Sequence, residues 1–312
     1  MLILGEKYQF TDLEKKQLNK KFDTITTIKY KKESAKDVIN RIDQILKNDA
    51  FTIIVLNTKA KVDDEIIRFL TNIKFKIART KFEILSIEHF LEKYLYKCYI
   101  PDSNNDLHFL DEIKEFNFIE KLQKSIIDII AIIFLLPFLC VVSIIVKKKI
   151  NEQSPGSLYF RQLRVGLQNK EFECIKFRSM YEDAEKFGVK FASANDSRVF
   201  PFGEFMRKSR LDEIPQVLNI MFGEMSLIGP RPERKYWIKK DFESRIPYYN
   251  QRHIVKPGIT GWAQVMYPYG DGLEDAKQKL MYDLYYIKHW NILLELKIII
   301  KTIKIVLEKR GR

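Results

Sequence analysis

The sequence predicts a chain of two parts: an α/β region with a parallel sheet in residues 1–115, and an α-rich, membrane-associated domain in residues 116–312. Strand-like and helix-like segments alternate in the first part, a long apolar run opens the second, and most of the basic excess follows that run. Of the net charge of +13, residues 1–115 account for little, because 21 Lys and Arg there face 19 Asp and Glu. A basic second part indicates an anionic partner, either nucleic acid, a membrane surface or a phosphorylated substrate.

Short apolar segments alternate with amphipathic ones in the first part. The strand candidates are "LILG", "TITTIKY", "FTIIVLN" and "KFKIA", and the helix candidates are "DLEKKQLNKKF", "AKDVINRIDQILKND", "DDEIIRFLTNI" and "SIEHFLEKYLYKC". This alternation predicts a Rossmann-like parallel sheet covered by helices. Gly5 is the only glycine of residues 1–115, so the glycine-rich loop that cradles phosphates is missing and a regulatory or structural role is expected. The polar residues 101–109 are the expected linker.

The segment Ser125–Val146 has 22 residues, enough for a bilayer-spanning helix, which needs about 20. Lysines flank both of its ends, however, and the positive-inside rule would place one flank on the wrong side. Pro137 lies near the middle, where it removes a helix hydrogen bond. A re-entrant helix, entering and leaving by the cytoplasmic leaflet, satisfies both facts and keeps the charge of Asp128 near the interface. A single transmembrane helix and a buried core helix are the alternatives.

The C-terminal stretch that begins at Trp290 gives a second membrane signal. Lys297, Lys301 and Lys304 recur at spacings of four and three, so they share one face of a helix whose remaining positions are mostly apolar. A tryptophan and a basic stripe are typical of an interfacial amphipathic helix. A surface helix packed on its own domain fits the same pattern.

Two adjacent carboxylates in "SRLDEIPQ", Asp212 and Glu213, precede a helical pattern. Asp212 could cap that helix and Glu213 could complement its dipole. The same pair could hold Mg²⁺, or one carboxylate could attack phosphorus and form an acyl phosphate. Such an attack needs positive charge against the diphosphate. Arg207 and Arg210 just upstream, and Arg231 between two prolines, could supply it.

Five motifs together resemble the bacterial sugar transferases, which are monotopic polyprenyl-phosphate phosphoglycosyl transferases. The motifs "YFRQLRVG", "KFRSM", "RKSRLDEIPQVLN", "GEMSLIGPRP" and "KPGITGWAQV" occur in the order typical of that family, within about Phe118–Lys309. The resemblance implies transfer of a sugar 1-phosphate from a UDP-sugar donor to polyprenyl (undecaprenyl) phosphate, with release of UMP. This would be the first membrane step in assembly of a surface glycan such as exopolysaccharide, lipopolysaccharide or capsule, at the cytoplasmic face of the bacterial inner membrane.

The resemblance also implies roles for individual residues. Asp212 matches the nucleophile that forms a covalent aspartyl phospho-sugar intermediate, and Asp212 with Glu213 would hold Mg²⁺. Asp283 matches an aspartate that the family places near the active site. With Arg210, which lies beside the dyad, the expected substrate-phosphate group is Lys176, Arg207, Arg210, Arg231 and Asp283. Asp128 and Pro137 belong to the re-entrant helix.

Three features depart from the family pattern. Leu136 replaces the serine that often precedes the helix-breaking proline, Glu224 replaces an aspartate, and residues 1–115 do not resemble the four-helix membrane domain of larger members. Two other functions stay open at this point. One is a membrane-anchored glycosyltransferase that releases UDP, although no Asp-x-Asp donor domain is recognisable, and the other is a non-enzymatic membrane scaffold.

Several partner and site assignments follow from weaker signals. The aromatic residues of the second part do not interleave with cations as a nucleic-acid stacking platform would, so no nucleic-acid partner is expected. A homo-oligomer is left open, as are the sugar and the glycan pathway. His253 is interpreted as a surface or core histidine in preference to a proton shuttle.

Overall fold

The computed structural model describes residues 1–30, 34–48, 52–58, 61–76, 83–184, 196–267, 270 and 272–308. The chain forms two compact units, Met1–Tyr99 and Ile100–Arg312, whereas the sequence predicts a boundary after residue 115. The difference lies in the expected linker. Asn104 Oδ1 accepts a hydrogen bond from the backbone N–H of Tyr248 at 2.8 Å, and the N–H of Asp106 donates to the Tyr248 hydroxyl at 2.7 Å. These contacts place residues 104–106 in the second unit.

The first unit is built on a four-stranded parallel sheet with strand order β2-β1-β3-β4. Its strands are β1 (Leu2–Leu4), β2 (Thr26–Ile28), β3 (Ile53–Leu56) and β4 (Glu83–Ser86). Its helices are α1 (Asp12–Asn19), α2 (Ala35–Asn48), α3 (Asp64–Lys76) and α4 (Ile87–Phe90), the last continued by a π-helical turn at Leu91–Leu95. All three strand pairings are parallel, which confirms the predicted α/β region.

The strand predicted at "KFKIA" is wrong for its first three residues. Lys74–Lys76 form the last turn of α3, residues 77 and 78 lie outside the described residues, and the fourth strand is Glu83–Ser86. Ile66 and Leu70 are buried and Ile73 packs against the same core, at helical spacing. The helical period therefore continues into the apolar run, which is too short to distinguish a strand from a helix end.

Side chains of its own first turn cap the N-terminus of α1. Glu14 Oε2 accepts from the N–H of Thr11 at 2.6 Å, and Thr11 Oγ1 accepts from the N–H of Glu14, which completes a capping box. Glu14 also forms an ion pair with the fully buried Lys97. In nucleotide-binding sheets of this kind a phosphate occupies the position before the first helix, and here a carboxylate of the protein itself lies there.

In its described residues, the second unit contains one long helix, two small sheets and a set of shorter helices. Its strands are β5 (Tyr159–Val165), β6 (Glu171–Phe177), β7 (Ser226–Ile228) and β8 (Gly258–Thr260). Its helices are α5 (Leu107–Glu112), α6 (Phe118–Gln153), α7 (Pro201–Lys208), α8 (Val217–Met221), α9 (Lys235–Trp237), α10 (Glu243–Arg245), α11 (Trp262–Met266), α12 (Leu273–Lys288) and α13 (Ile292–Leu307). Strands β5 and β6 form an antiparallel hairpin, and β7 pairs with β8 in parallel.

The predicted re-entrant segment lies within α6, a single helix of 36 residues. Among the described residues, α6 is the one helix long and apolar enough to cross a membrane. It continues through Pro137, so the proline does not divide the segment into two helices. Entry and exit by the same leaflet stays a prediction.

One face of α6 packs on the second unit, and the opposite face is apolar and exposed. Leu139, Val142, Val146 and Ile150 are buried in a core that includes residues of β6, α7 and α8. The exposed face carries Ile126, Ile129, Ile130, Ile133, Phe134, Phe138, Val141, Ile144 and Ile145. Such a continuous apolar surface indicates contact with lipid or another apolar partner.

The first half of α6 is attached to β7 through buried polar contacts. Lys124 Nζ donates to the carbonyl of Ile228 at 2.8 Å and to the Tyr286 hydroxyl at 2.7 Å, and it lies 3.0 Å from Glu295 Oε1. Asp128 Oδ1 accepts from the backbone N–H of Leu227 at 2.7 Å. Asp128 is therefore bound to protein backbone.

Helix α13 is amphipathic, and it carries an exposed apolar row in addition to the predicted lysines. Leu293, Leu296, Ile300, Ile303 and Leu307 are exposed at alternating spacings of three and four. The buried residues Leu294, Glu295 and Ile298 face the unit. Lys297 lies 5.2 Å from the centre of the Trp262 ring, which is a cation–π distance. The exposed apolar row suits an interfacial position.

We expect Lys124→Met to lower the free energy of unfolding by about 3–5 kcal/mol, since it leaves the carboxylate of Glu295 buried without its cation. The double variant Lys124→Met/Glu295→Met should recover part of that loss. Thermal or denaturant unfolding in detergent micelles measures both.

Lys149→Met is the matched control on the same helix, because the Lys149–Glu152 pair is exposed and should contribute under about 1 kcal/mol. If the single and double variants at 124 and 295 were equally destabilised, the buried pair would not be the source of the loss.

Candidate active site

The candidate site forms where three segments of the second unit meet. Lys176 comes from β6, the dyad Asp212–Glu213 from a 3₁₀ turn at Leu211–Gln216, and Arg231 from the loop after β7. All three segments bring charged side chains to one place. In sequence, the dyad lies between Lys176 and Arg231. The sequence motifs are thus assembled by tertiary contacts.

The dyad does not cap a helix. The residue before the 3₁₀ turn is Arg210, which has a left-handed backbone with φ 55° and makes no side-chain capping hydrogen bond. Asp212 lies inside the turn, and the α-helix that follows has five residues. The capping interpretation of Asp212 is therefore wrong, because a sharp reversal at Arg210 shifts the start of the helical segment.

Glu213 is a buried carboxylate surrounded by three cations. Its Oε1 atom lies 2.8 Å from Lys176 Nζ and 2.9 Å from Arg231 Nη2, and its Oε2 atom lies 3.6 Å from Arg210 Nη1. Burial alone would raise the pKa of Glu213, but the charges of Arg231, Lys176 and Arg210 outweigh it and hold the pKa well below its ordinary value. Glu213 is therefore held in its charged form.

Asp212 has different surroundings from its neighbour. The ion pairs that described residues form with the dyad all go to Glu213. Loss of hydration, and then the charge of Glu213, raise the pKa of Asp212 to about 6, against the opposing effect of Lys176, Arg207 and Arg231. Neighbouring carboxylates with pKa values pushed apart are typical of groups with separate roles in catalysis.

Four of the five predicted phosphate-binding residues lie near the dyad, and Asp283 does not share their surroundings. Lys176, Arg210 and Arg231 contact Glu213, and Arg207 acts electrostatically on Asp212. Asp283 lies on α12 and is 2% exposed.

The carboxylate of Asp283 contacts Arg252 Nη2 at 2.8 Å, and burial raises its pKa to about 6. A buried carboxylate already paired with arginine does not favour the predicted contact with substrate phosphate. Asp128 also lies apart from the dyad's ion pairs, since its carboxylate binds the backbone of β7.

Arg252 is the site-associated residue that sequence reasoning missed. It is 4% exposed, and it donates from Nη1 to the Tyr249 hydroxyl at 2.7 Å and from Nη2 to the carbonyl of Arg231 at 2.8 Å. The basic stretch around Arg252 does not indicate this role in the sequence, because the partners of Arg252 are distant in sequence. Only the packing of the 3₁₀ segment Tyr249–Ile254, which carries Arg252, against α12 and the loop after β7 identifies it.

His253 is a core residue, as the preferred interpretation stated. It is 5% exposed, and its Nδ1 atom lies 2.5 Å from Asn169 Oδ1. Burial, and then the charge of Arg252, lower the pKa of His253 to about 3. The imidazole is therefore neutral at physiological pH and does not exchange protons as a shuttle would.

Comparison with known protein families identifies the family of this chain. Residues 119–309 match the model of the bacterial sugar transferase family, which is more than half of the chain and includes every residue of the candidate site. The chain belongs to the bacterial sugar transferase family. This confirms the resemblance that the sequence motifs indicate.

Individual sugar transferases of this family show the extent of the similarity. The chain is 42% identical over 188 residues to a UDP-N-acetylgalactosamine-undecaprenyl-phosphate N-acetylgalactosaminephosphotransferase of Aeromonas hydrophila, covering 60% of this chain and 44% of the relative. It is 42% identical over 184 residues to a UDP-glucose:undecaprenyl-phosphate glucose-1-phosphate transferase of Xanthomonas campestris pv. campestris, covering 58% and 37%.

A third relative is an uncharacterized sugar transferase of Bacillus subtilis (strain 168), 34% identical over 192 residues, covering 60% of this chain and 89% of that relative. The matched part of this chain thus spans less than half the length of the first two relatives and most of the third. The similarity is concentrated in the sugar transferase domain, and the N-terminal unit of this chain lies outside the matched residues.

The dyad of this sugar transferase can supply only part of the ligand set of a Mg²⁺ ion. Asp212 and Glu213 supply two carboxylates, and among the described residues no group of three or more His, Cys, Asp or Glu side chains could hold a metal. Protein-bound Mg²⁺ usually takes one or two carboxylates, with water and substrate phosphate oxygens completing its octahedron. Two adjacent carboxylates suit an ion that is shared with a diphosphate.

Acidification should destabilise this protein through His253. The pKa of His253 is about 3 in the folded chain, and its ordinary value is 6.5. Below pH 6.5, His253 therefore binds a proton in the unfolded chain but not in the folded chain. The contribution of His253 to stability therefore falls as the pH falls from 6.5 towards 3, by about 2 kcal/mol at pH 5. His253→Asn should remove most of this pH dependence, as measured by unfolding at pH 7.5 and pH 5.

The exposed His108 provides the control for that measurement. His108→Asn should leave the acid sensitivity of the wild type unchanged. Equal losses of stability at pH 5 in the wild type and in His253→Asn would contradict the assignment of His253 as a buried neutral histidine.

Proposed function

We propose that the second unit transfers a sugar 1-phosphate from a UDP-sugar to polyprenyl phosphate, undecaprenyl phosphate by analogy with the relatives, and releases UMP. The observation that carries the proposal is the pair of unlike carboxylates. Glu213 is held charged by three cations, and the neighbouring Asp212 has no share in those ion pairs among the described residues. Family membership supports the reaction class.

In the first step, an Asp212 carboxylate oxygen attacks the sugar-bearing phosphorus of the donor. A P–O bond to the aspartate forms as the P–O bond to UMP breaks, and UMP leaves with that electron pair. Lys176, Arg207 and Arg231 neutralise the charge of the diphosphate, which would otherwise repel the attacking carboxylate. Asp212 and Glu213 would hold Mg²⁺, which would supply further positive charge against the diphosphate.

In the second step, a phosphate oxygen of the polyprenyl acceptor attacks the aspartyl phospho-sugar. The new P–O bond forms the diphosphate of the product, and the bond to Asp212 breaks and regenerates its carboxylate. Two displacements at one phosphorus predict ping-pong kinetics. The product would remain in the membrane and begin the assembly of a surface glycan.

The attacking residue can be tested with a donor labelled in its sugar-bearing phosphate and with no acceptor present. We expect label on the wild-type protein and none on Asp212→Asn, whose turnover should fall by about 10³-fold or more, because the nucleophile is lost. Glu213→Gln is the matched variant, and it should be slower but still labelled. Label retained in Asp212→Asn and lost in Glu213→Gln would instead make Glu213 the nucleophile.

A panel of donors tests the reaction class and the substrate together. UDP-glucose and UDP-N-acetylgalactosamine are incubated with undecaprenyl phosphate, and the nucleotide product is identified. We expect UMP with at least one donor. UDP as the product would favour a glycosyltransferase, and no nucleotide product with any UDP-sugar would favour a non-enzymatic scaffold.

We propose further that α6 attaches the second unit to the cytoplasmic leaflet without crossing the bilayer. A helix of 36 residues is about 54 Å long, and the hydrocarbon core is about 30 Å thick. Both halves of α6 pack on the same unit, the first through Lys124 and Asp128 and the second through Val146 and Ile150. An upright spanning helix would carry that charged unit into the lipid, so attachment from one side is favoured.

Cysteines at the two ends of α6 test this topology. In a Cys140→Ser background, Lys121→Cys and Lys148→Cys each replace an exposed residue. A membrane-impermeant maleimide should label both from the cytoplasmic side, and neither from the outside of intact cells. Labelling of one end from each side would mean that α6 spans the bilayer.

A further inference from the structure

A buried set of contacts extends from α12 to the loop that carries Arg231. Asp283 lies 2.8 Å from Arg252 Nη2, and the same nitrogen donates to the carbonyl of Arg231 at 2.8 Å. Arg252 Nη1 donates to the Tyr249 hydroxyl at 2.7 Å. Arg252, Asp283 and Tyr249 are each less than 5% exposed. The proposed reaction uses none of these three groups directly.

The loop at 229–232 is held in position by hydrogen bonds from other segments to its carbonyl groups. Pro230 and Pro232 lack an N–H group and fix their own φ angles, so this loop offers few donors to hold it. Its carbonyls are held from outside by different segments: that of Pro230 by the N–H of Gly258 at 3.0 Å, and that of Pro232 by Arg164 Nη1 at 3.2 Å. Arg252 does the same for the carbonyl of Arg231.

A guanidinium suits this position better than any other cation. Its planar group presents several N–H donors in fixed directions, and here it donates to a hydroxyl and a carbonyl while lying at ion-pair distance from a carboxylate. A lysine at position 252 would keep the charge but could not reach all three acceptors in that plane. The charge of Asp283 offsets the cost of burying the charge of Arg252.

We propose that Arg252 is a positioning residue for the sugar-phosphate transfer and that Asp283 is its counter-ion. By holding the backbone of Arg231, Arg252 sets the direction from which the Arg231 guanidinium approaches Glu213, 2.9 Å away. Neither Arg252 nor Asp283 touches the substrate. This assigns Asp283 a role behind the site in place of the predicted contact with phosphate, and it rests on the proposed function.

A double-mutant cycle between positions 252 and 231 tests the assignment in the full-length protein in nanodiscs. The rate of nucleotide release and the KM for the donor are measured with whichever of UDP-glucose and UDP-N-acetylgalactosamine is turned over. We expect Arg252→Lys alone to lower kcat/KM by about 10–100-fold. In an Arg231→Gln background, the same change should cost less than about twofold, because the side chain that it positions is gone.

Arg178→Lys is the matched control in this cycle. Arg178 is also a buried arginine that donates to a backbone carbonyl, that of Ser157 at 2.7 Å. Its described partners Ser154, Ser157 and Met180 all lie outside the loop of Arg231. Its loss of activity should multiply with that of Arg231→Gln. If the loss from Arg252→Lys multiplied in the same way, Arg252 would be merely structural and the positioning role would be overturned.

If thermal unfolding shows that Arg252→Lys does not fold, Asp283→Asn takes its place in the cycle. It preserves the shape of the side chain and should show the same direction of loss, again absorbed by Arg231→Gln. A loss that persisted in full in the Arg231→Gln background would overturn the assignment. The nucleotide product is read in the same samples, so release of UDP would reject the proposed reaction separately, while a non-multiplicative cycle would still support the positioning role.

Discussion

The carboxylate of Glu213 is the contact on which the rest of the second unit's site depends. It draws together Lys176, Arg210 and Arg231, three cations from separate segments that would repel one another without it. The hairpin of β5 and β6, the 3₁₀ turn and the loop after β7 are therefore linked through one buried charge. The same charge raises the pKa of Asp212, so the interaction that assembles the site also separates the properties of the two acids.

The apolar helix α6 and the site are both connected to β7. Lys124 and Asp128 of α6 bind the carbonyl of Ile228 and the N–H of Leu227, and the loop that follows this strand carries Arg231. The outer face of α6 is apolar while its inner face is tied to the strand by polar contacts. A short series of contacts thus connects the exposed apolar surface of α6 to the cations around the dyad, which suits the proposed reaction with an acceptor that would arrive from the membrane.

Sequence reasoning succeeded where a pattern repeats and failed where a single residue or a short run decides. The alternation of strands and helices was sufficient for the parallel sheet of the first unit, because several elements support one another. It failed at Lys74–Lys76, where three residues fit either a strand or a helix end. It could not exclude a capping role for Asp212, because the left-handed backbone of Arg210 that displaces the helix start is rare for arginine and has no sequence signature.

The sequence by itself determined the α/β character of the first unit, the long apolar segment and the family, since these follow from periodicity, composition and motif order. Only the tertiary structure decided which charges meet. Arg252 and Arg231 are 21 positions apart, and Lys124 and Glu295 are 171 apart. Whether such a cation is a surface charge or a buried partner depends on which elements pack together. For the same reason, Asp283 could be recognised from its motif but not assigned its neighbour.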